Sequence, residues 1–193
     1  MPTVVIAANG SRLRPSYSPE VATRLHWALA ATTLWALALA GGGASAPTPA
    51  CGGSQLGGTF AVIPGSAGAG NIVYSLRVRF LSGRTCFVYG VPRLQLLDRL
   101  RRPLPTKVLP AFRPGLMAVR VPLRPGHGAK ASARFSPDIP GPGELQTGTQ
   151  CERRSYYVRV TPPPGRGTFV APVRPPTPVC EHGRLSVSAM EAA

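Results

Sequence analysis

Residues 69–98 read AGNIVYSLRVRFLSGRTCFVYGVPRLQLLD, and this stretch decides the fold. From Asn71 to Leu81 the chain alternates strictly. Ile72, Tyr74, Leu76, Val78 and Phe80 fall on one side, and Ser75, Arg77 and Arg79 fall on the other. A period of two is the mark of a half-buried strand with its arginine side in solvent. Ser82-Gly83-Arg84 is a turn signal. Cys86–Tyr89 is a short strand, Gly90-Val91-Pro92 bends it, and Arg93–Leu97 resumes with Leu94 and Leu96 inward. Asp98–Pro105 then reads as a polar, arginine-rich turn.

Outward from this stretch the same pattern recurs. Val119, Val121 and Leu123 alternate, and Arg124-Pro125-Gly126 turns the chain. Ala129, Ala131, Ala133 and Phe135 alternate against Lys130, Ser132 and Arg134. Residues 136–150 form a loop. Tyr156, Val158 and Val160 make another strand, ended by Pro162-Pro163-Pro164-Gly165. Thr168–Val173 is expected as an edge strand, and Arg184–Val187 as the last, with Leu185 and Val187 inward. Nothing beyond the leader keeps a 3.6-residue period. Short strands separated by turn signals predict an all-β domain, an antiparallel β-sandwich of immunoglobulin type, with a Greek-key barrel as the alternative.

Upstream, Trp27–Ala40 reads WALAATTLWALALA, preceded by Arg24 and His26 and followed by GGGASA. A basic residue, a short apolar core and small residues, in that order, predict a signal peptide cleaved near Ala44-Ser45-Ala46. Pro47 is a poor neighbour for the peptidase, which leaves cleavage at Ala38-Leu39-Ala40 or a retained anchor as alternatives. The apolar run is short beside the about 20 residues of a spanning helix. The polar first twenty residues are long for an n-region, and translation from Val21 would remove them. The expected organisation is an N-terminal extension plus signal peptide over residues 1–46 and a single domain over residues 47–193. Cys51 follows the apolar run as a lipoprotein cysteine would. Against lipidation, Thr48 stands where a Leu-like residue is wanted, and Pro49 is ill placed among the small residues before the cysteine.

The chain has four cysteines, Cys51, Cys86, Cys151 and Cys180. An even count in an exported chain predicts two disulfides, and the wide spacing with no nearby histidine pair argues against zinc. Three pairings can be drawn. Sequential pairing would close two loops, each contributing about 3–4 kcal/mol in the chain-entropy account.

Gly and Pro number 22 and 23 of 193 residues, near the range of disordered segments, but 44% hydrophobic residues argue for a folded core with long Pro/Gly loops. The formal net charge is +15, and of 22 basic residues only Lys107 and Lys130 are lysine. Arg, Ala, Pro and Gly in excess over Lys are also what a GC-rich genome yields. Residues 47–193 carry 19 basic and 6 acidic residues, a net +13. Such a balance attracts anionic partners: an envelope polymer, a membrane surface or an acidic exported protein. Scattered arginines with no recognisable binding module argue against nucleic acid.

The candidate binding surface follows from the strand faces. Arg77, Arg79 and Arg93 point outward, and Arg99, Arg101 and Arg102 cluster in the loop after Leu97. Tyr157 lies on the Arg159 face of its strand, opposite Tyr156 and Val158, where an exposed aromatic beside arginine suits a glycan or protein contact. The bland alternative is a solvated arginine face that discourages edge aggregation. No catalytic, cofactor or metal residues are expected. His127 and His182 read as turn residues, and no Ser nucleophile elbow supports a triad built from Asp98 or Asp138. The six acidic residues of 47–193, Asp98, Asp138, Glu144, Glu152, Glu181 and Glu191, are not paired at short spacing, so neither a calcium loop nor a glycosidase pair is expected.

These residues resemble a bacterial secreted family called domain of unknown function 4232. The resemblance rests on Cys51, Gly70-Asn71 with Tyr74, then Cys86, Gly90, Pro92, Leu96 and Asp98. It continues through Leu123-x-Pro125-Gly126 with Ala129 and Ala131, Cys151 before Val160-x-Pro162-Pro163, and Cys180 before Leu185-x-Val187. It covers about residues 51–188. Phe80-Leu81-Ser82 stands where the family usually has Asn-x-Ser. The resemblance implies an exported, immunoglobulin-like domain, often tethered to the envelope, and no assigned activity. The expectation is an exported, non-enzymatic binding module using a basic surface. The alternatives are a purely structural envelope module and an unrecognised secreted hydrolase.

Overall fold

The computed structural model describes residues 46–111, 117–144 and 151–193. Every reading made on residues 1–45, which hold all of the expected leader but its last residue, lies outside the described residues. Among the described residues eleven strands follow in chain order. They are Leu56–Val62 (β1), Ile72–Phe80 (β2), Cys86–Val88 (β3), Arg93–Leu97 (β4), Lys107–Pro110 (β5), Val121–Leu123 (β6), Gly128–Phe135 (β7), Ser155–Thr161 (β8), Phe169–Thr177 (β9), Arg184–Val187 (β10) and Glu191–Ala192 (β11).

The alternation of β2 is realised: Tyr74, Leu76 and Val78 are buried and Arg77 and Arg79 exposed. Its antiparallel partner β7 sets small residues against these large ones, with Ala133 opposite Tyr74, Ala131 opposite Leu76 and Ala129 opposite Val78. Large against small lets the two inner faces pack without voids, and each fully buried Leu or Val contributes about 1.5–3 kcal/mol. Tyr74 sits between the rings of Phe60 and Phe135, each at 5.1 Å, and its hydroxyl donates to the Pro175 carbonyl at 2.9 Å. A buried phenol thereby satisfies its polar end.

The all-β architecture with two disulfides is as expected, but the arrangement of strands differs from two antiparallel sheets. Eight strands form one hydrogen-bonded path, β4-β8-β9-β1-β2-β7-β10-β5, with β11 added beside β7. Two of its pairings are parallel: β1 with β9, and β10 with β5. All the path's inner faces contribute to one core cluster, so the sheet rolls into a nearly closed barrel. Its outer edges are β4 and β5, and the chain between them bridges the seam. Leu104 N–H bonds the Leu96 carbonyl, Thr106 Oγ1 accepts from Leu96 N–H, and Gln95 Nε2 donates to the Leu104 carbonyl at 2.7 Å. One residue after Thr106 the chain becomes β5 and joins β10. The edge of β4 is therefore covered, and Pro110 removes a donor from β5, the usual means of blunting sheet edges.

A separate ribbon pairs β3 with β6, and Pro49–Cys51 runs along the other side of β3. The disulfides are Cys51–Cys86, which staples that segment to β3, and Cys151–Cys180.

Several expectations are corrected. Thr168–Val173 is not an edge: β9 lies between β8 and β1 and runs on to Thr177. Val119 is 58% exposed, and its strand begins only at Val121. β1 and β5 were not expected from the sequence. The Asp98–Pro105 turn is not wholly polar and exposed: Asp98 and Leu104 are buried, and Leu100 is an exposed apolar side chain.

Candidate functional site

β4 ends at the buried Leu97, and the next residue organises the loop that follows. Asp98 Oδ1 accepts the backbone N–H groups of Leu100 and Arg102, at 2.8 and 2.9 Å. Its Oδ2 accepts from Arg102 Nε at 2.8 Å, and the Arg153 guanidinium lies 3.9 Å away. An aspartate that bonds backbone two residues on makes a local turn without help from the sheet. The Arg102 backbone N–H is the main cause holding the Asp98 carboxyl below its ordinary range. Burial opposes it, and the Arg102 side chain and Leu100 N–H act with it. The turn carries Arg101 into a left-handed φ of 60°. From there the Arg101 guanidinium lies over the Tyr157 ring, 5.1 Å from its centroid.

Tyr157 stands opposite Leu97 in the β4–β8 register, Arg159 opposite Gln95 and Thr161 opposite Arg93. Arg93, Arg99, Arg101, Arg102 and Arg159 are exposed and Tyr157 half-buried. These six expected residues share the outer face of β4 and β8 and the loop at its end. Arg77 and Arg79 do not join them. They lie on β2, three strands further along the path from β8, where Arg77 stands opposite Lys130 of β7. At about 4.8 Å per strand that is roughly 14 Å. The single basic surface expected from the sequence is therefore two basic areas. Sequence reasoning missed Asp98 as the organiser and Arg153 as its second cationic neighbour. The signal for Asp98 was local, an aspartate directly after a strand with arginine four residues on. Arg153 carried no such signal.

Residues 51–191 match the family described as Domain of unknown function (DUF4232). The chain belongs to the DUF4232 family. No curated protein and no solved structure matches it. The family match includes both disulfides, the Asp98 loop and β8.

His182 lies exposed in a turn of this DUF4232 domain, and the fold adds a second polar cluster around it that sequence spacing did not reveal. The fold brings Glu144, Glu152 and His182 together, with one ligand atom of each within 4.8 Å of the others. The Glu144 side chain is 2% exposed and accepts backbone N–H groups from Gly141, Glu181 and His182. Burial raises the Glu144 carboxyl, but the three N–H donors and the nearby His182 outweigh it and hold the group below its ordinary range. Its oxygens are thus occupied in fastening the Cys180–Gly183 turn, in which Glu181 and His182 take left-handed φ values of 56° and 57°. His127 lies in its exposed turn, as expected.

The domain also has an apolar cleft of about 320 Å³, lined in part by Val91, Pro110, Met117, Val119, Ser188 and Met190. Among the described residues no helix is long and apolar enough to cross a membrane.

Proposed function

We propose that this DUF4232 chain is an exported, non-enzymatic binding module that takes anionic partners of the cell envelope on the outer face of β4 and β8. The observation that carries the reading is the Arg101–Tyr157 stack on a loop fastened by Asp98. Arginines presented on an ordered backbone lose less freedom on binding than arginines on a mobile one. The guanidinium fork suits phosphate and carboxylate groups, and stacking on an aromatic ring holds it flat. Export is supported by the order of basic, apolar and small residues in the leader, and two disulfides fit an oxidising compartment.

The test is titration of the exported protein with polyphosphate at rising salt. Binding should weaken steeply as salt screens the contacts. The variant Arg99→Ala/Arg101→Ala/Arg102→Ala should lose most of it, while Arg77→Ala/Arg79→Ala should lose little. Equal loss in the two would leave only bulk charge and sink the reading. An N-terminal sequence of the exported protein starting between Gly41 and Pro47 would support the cleaved leader. An intact leader would overturn it.

A further inference from the structure

We propose that the loop at residues 99–102 docks on an anionic lipid membrane, with Leu100 entering the headgroup region. The inference rests on the reading of this loop as the binding surface and adds the kind of partner. Leu100 is 70% exposed, and its neighbours in sequence are Arg99 and Arg101, followed by Arg102. Among the described exposed large hydrophobics it is the one with a basic residue on each side. A soluble polyanion gains nothing from an apolar side chain at the centre of its contact. A membrane surface takes both parts, burying the aliphatic tip at the headgroup boundary while the cations meet anionic lipid.

The backbone supports the display. Leu100 N–H is bonded to Asp98 Oδ1 at 2.8 Å, so the exposed position of Leu100 is built into the turn. The one carboxylate in the loop offsets Arg102 and leaves the charges of Arg99 and Arg101, on either side of Leu100, uncompensated within the loop. Asp98 is buried beneath it and its charge is met by Arg102 at 2.8 Å. Tyr157, half-buried under Arg101, sets an amphipathic ring beside the same edge, a residue type suited to the membrane–water boundary.

The experiment uses the protein as its host exports it, with vesicles of phosphatidylcholine alone or with a third phosphatidylglycerol, and with polyphosphate as the lipid-free probe. Wild type should sediment with the phosphatidylglycerol vesicles and not with phosphatidylcholine alone. Leu100→Ser should weaken vesicle binding roughly ten-fold, the loss expected for a buried aliphatic side chain, and leave polyphosphate binding unchanged. Removing Arg99 and Arg101 together, with the Asp98–Arg102 pair left in place, should weaken it roughly 30-fold. Leu100 is exposed, so Leu100→Ser should unfold at the wild-type urea concentration, and that control is part of the experiment. The only tryptophans of the chain, Trp27 and Trp35, lie in the leader. Leu100→Trp therefore provides a reporter whose emission, after subtraction of wild type, should shift to the blue on phosphatidylglycerol vesicles. Vesicle binding unchanged in Leu100→Ser, or an unshifted indole emission from vesicle-bound Leu100→Trp, would overturn the membrane inference and leave the basic-face reading standing on polyphosphate. No binding to either probe at low salt would overturn both.

Discussion

Asp98 and Arg102 are joined three ways: carboxylate to backbone N–H at 2.9 Å, carboxylate to Nε at 2.8 Å, and Asp98 N–H to the Arg102 carbonyl at 2.9 Å. This pair, together with the Leu97–Pro103 bridge on the β4 edge, shapes the arginine loop. Asp98→Asn raises the net charge by one yet removes an acceptor facing Arg102 Nε. Polyphosphate binding is expected to fall despite the added positive charge, and amide exchange at Leu100 and Arg102 to quicken. Because the Asp98 carboxyl is held below its ordinary value, its contribution is full above about pH 4. It is lost as pH falls through the depressed value. Amide exchange measured across that acid range checks the sign, and binding that rises with the charge would refute the argument.

The Arg101–Tyr157 contact makes a separate prediction. A cation over an exposed aromatic ring is worth about 0.5–1 kcal/mol. Tyr157→Leu should weaken polyphosphate binding about two- to five-fold by releasing Arg101. Tyr157→Phe, which keeps the ring, should bind as wild type does. Calorimetric titration of both variants separates the stack from the hydroxyl.

The sequence made some elements plain and hid others for physical reasons. β2 and β7 were legible because one face of each is buried and the other wet, which writes the period of two directly into the residues. β1 was hidden by Gly57-Gly58, which erase the side-chain signal. A Cβ at Gly58 would meet the Arg77 backbone and the Phe169 ring, so the close approach itself demands the glycine. β9 carries Pro172, Pro175 and Pro176, residues ordinarily confined to sheet edges. It is interior because its parallel pairing to β1 uses only Val173 and Arg174, leaving the prolines outside that ladder. The rolling of the sheet was not legible, since alternation reports a face and not a partner. In the proposed binding surface, arginine composition exposed the loop, whereas the separation of Arg77 and Arg79 from it depends on strand order. The Glu144–His182 clasp joins residues 38 apart, beyond any local pattern.

That clasp should be acid-sensitive. The Glu144 carboxylate satisfies three N–H groups of turns that have no ladder partners of their own, and hydrogen bonds to a charged group are worth about 1.5–3 kcal/mol. Glu144→Gln should lower stability at pH 7 by about 1–3 kcal/mol. The carboxyl is held below its ordinary range, so its contribution is full above about pH 4.3 and declines as pH falls through the depressed value. Urea unfolding of the two proteins should therefore differ at pH 7 and converge in acid. A constant gap across that range would show that the charge is not what fastens the turn.

The two disulfides should differ in worth although their loops are similar, with sequence separations of 35 and 29. The loop-closure account gives each about 3–4 kcal/mol. Cys51 and Cys86 are both fully buried and hold Pro49–Cys51 against β3, whereas Cys151 is half-buried. Cys51→Ala/Cys86→Ala leaves a cavity at the ribbon as well as a longer free chain, and should cost more than Cys151→Ala/Cys180→Ala. Denaturant midpoints of the double variants rank them, and the reverse order would show that loop closure outweighs burial here.

Gly183 carries the most demanding backbone position at the seam of the sheet. It is buried, with a φ of 74°, between the Glu144-fastened turn and β10. A Cβ there would run into the Pro105 carbonyl oxygen and lie 2.9 Å from Thr106 Cα. That backbone has little room to retreat, because Thr106 is bonded to Leu96 and Gln95 on β4. Gly183→Ala therefore meets two costs: the left-handed conformation, about 1–2 kcal/mol for a residue with a Cβ, and displacement of the segment that covers the β4 edge. Gly126→Ala separates them. Its φ is 80° and nothing lies within 4 Å of a Cβ there, so it meets the conformational cost alone. Urea unfolding should place Gly126→Ala about 1–2 kcal/mol below wild type and Gly183→Ala more than about 3 kcal/mol below it. Gly183→Ala should also quicken amide exchange at Leu96 and Leu104, whose bonds close the seam, while Gly126→Ala leaves those amides protected. Equal losses in the two variants would mean that the Pro105–Thr106 segment yields freely and that the barrel is not held shut at this point.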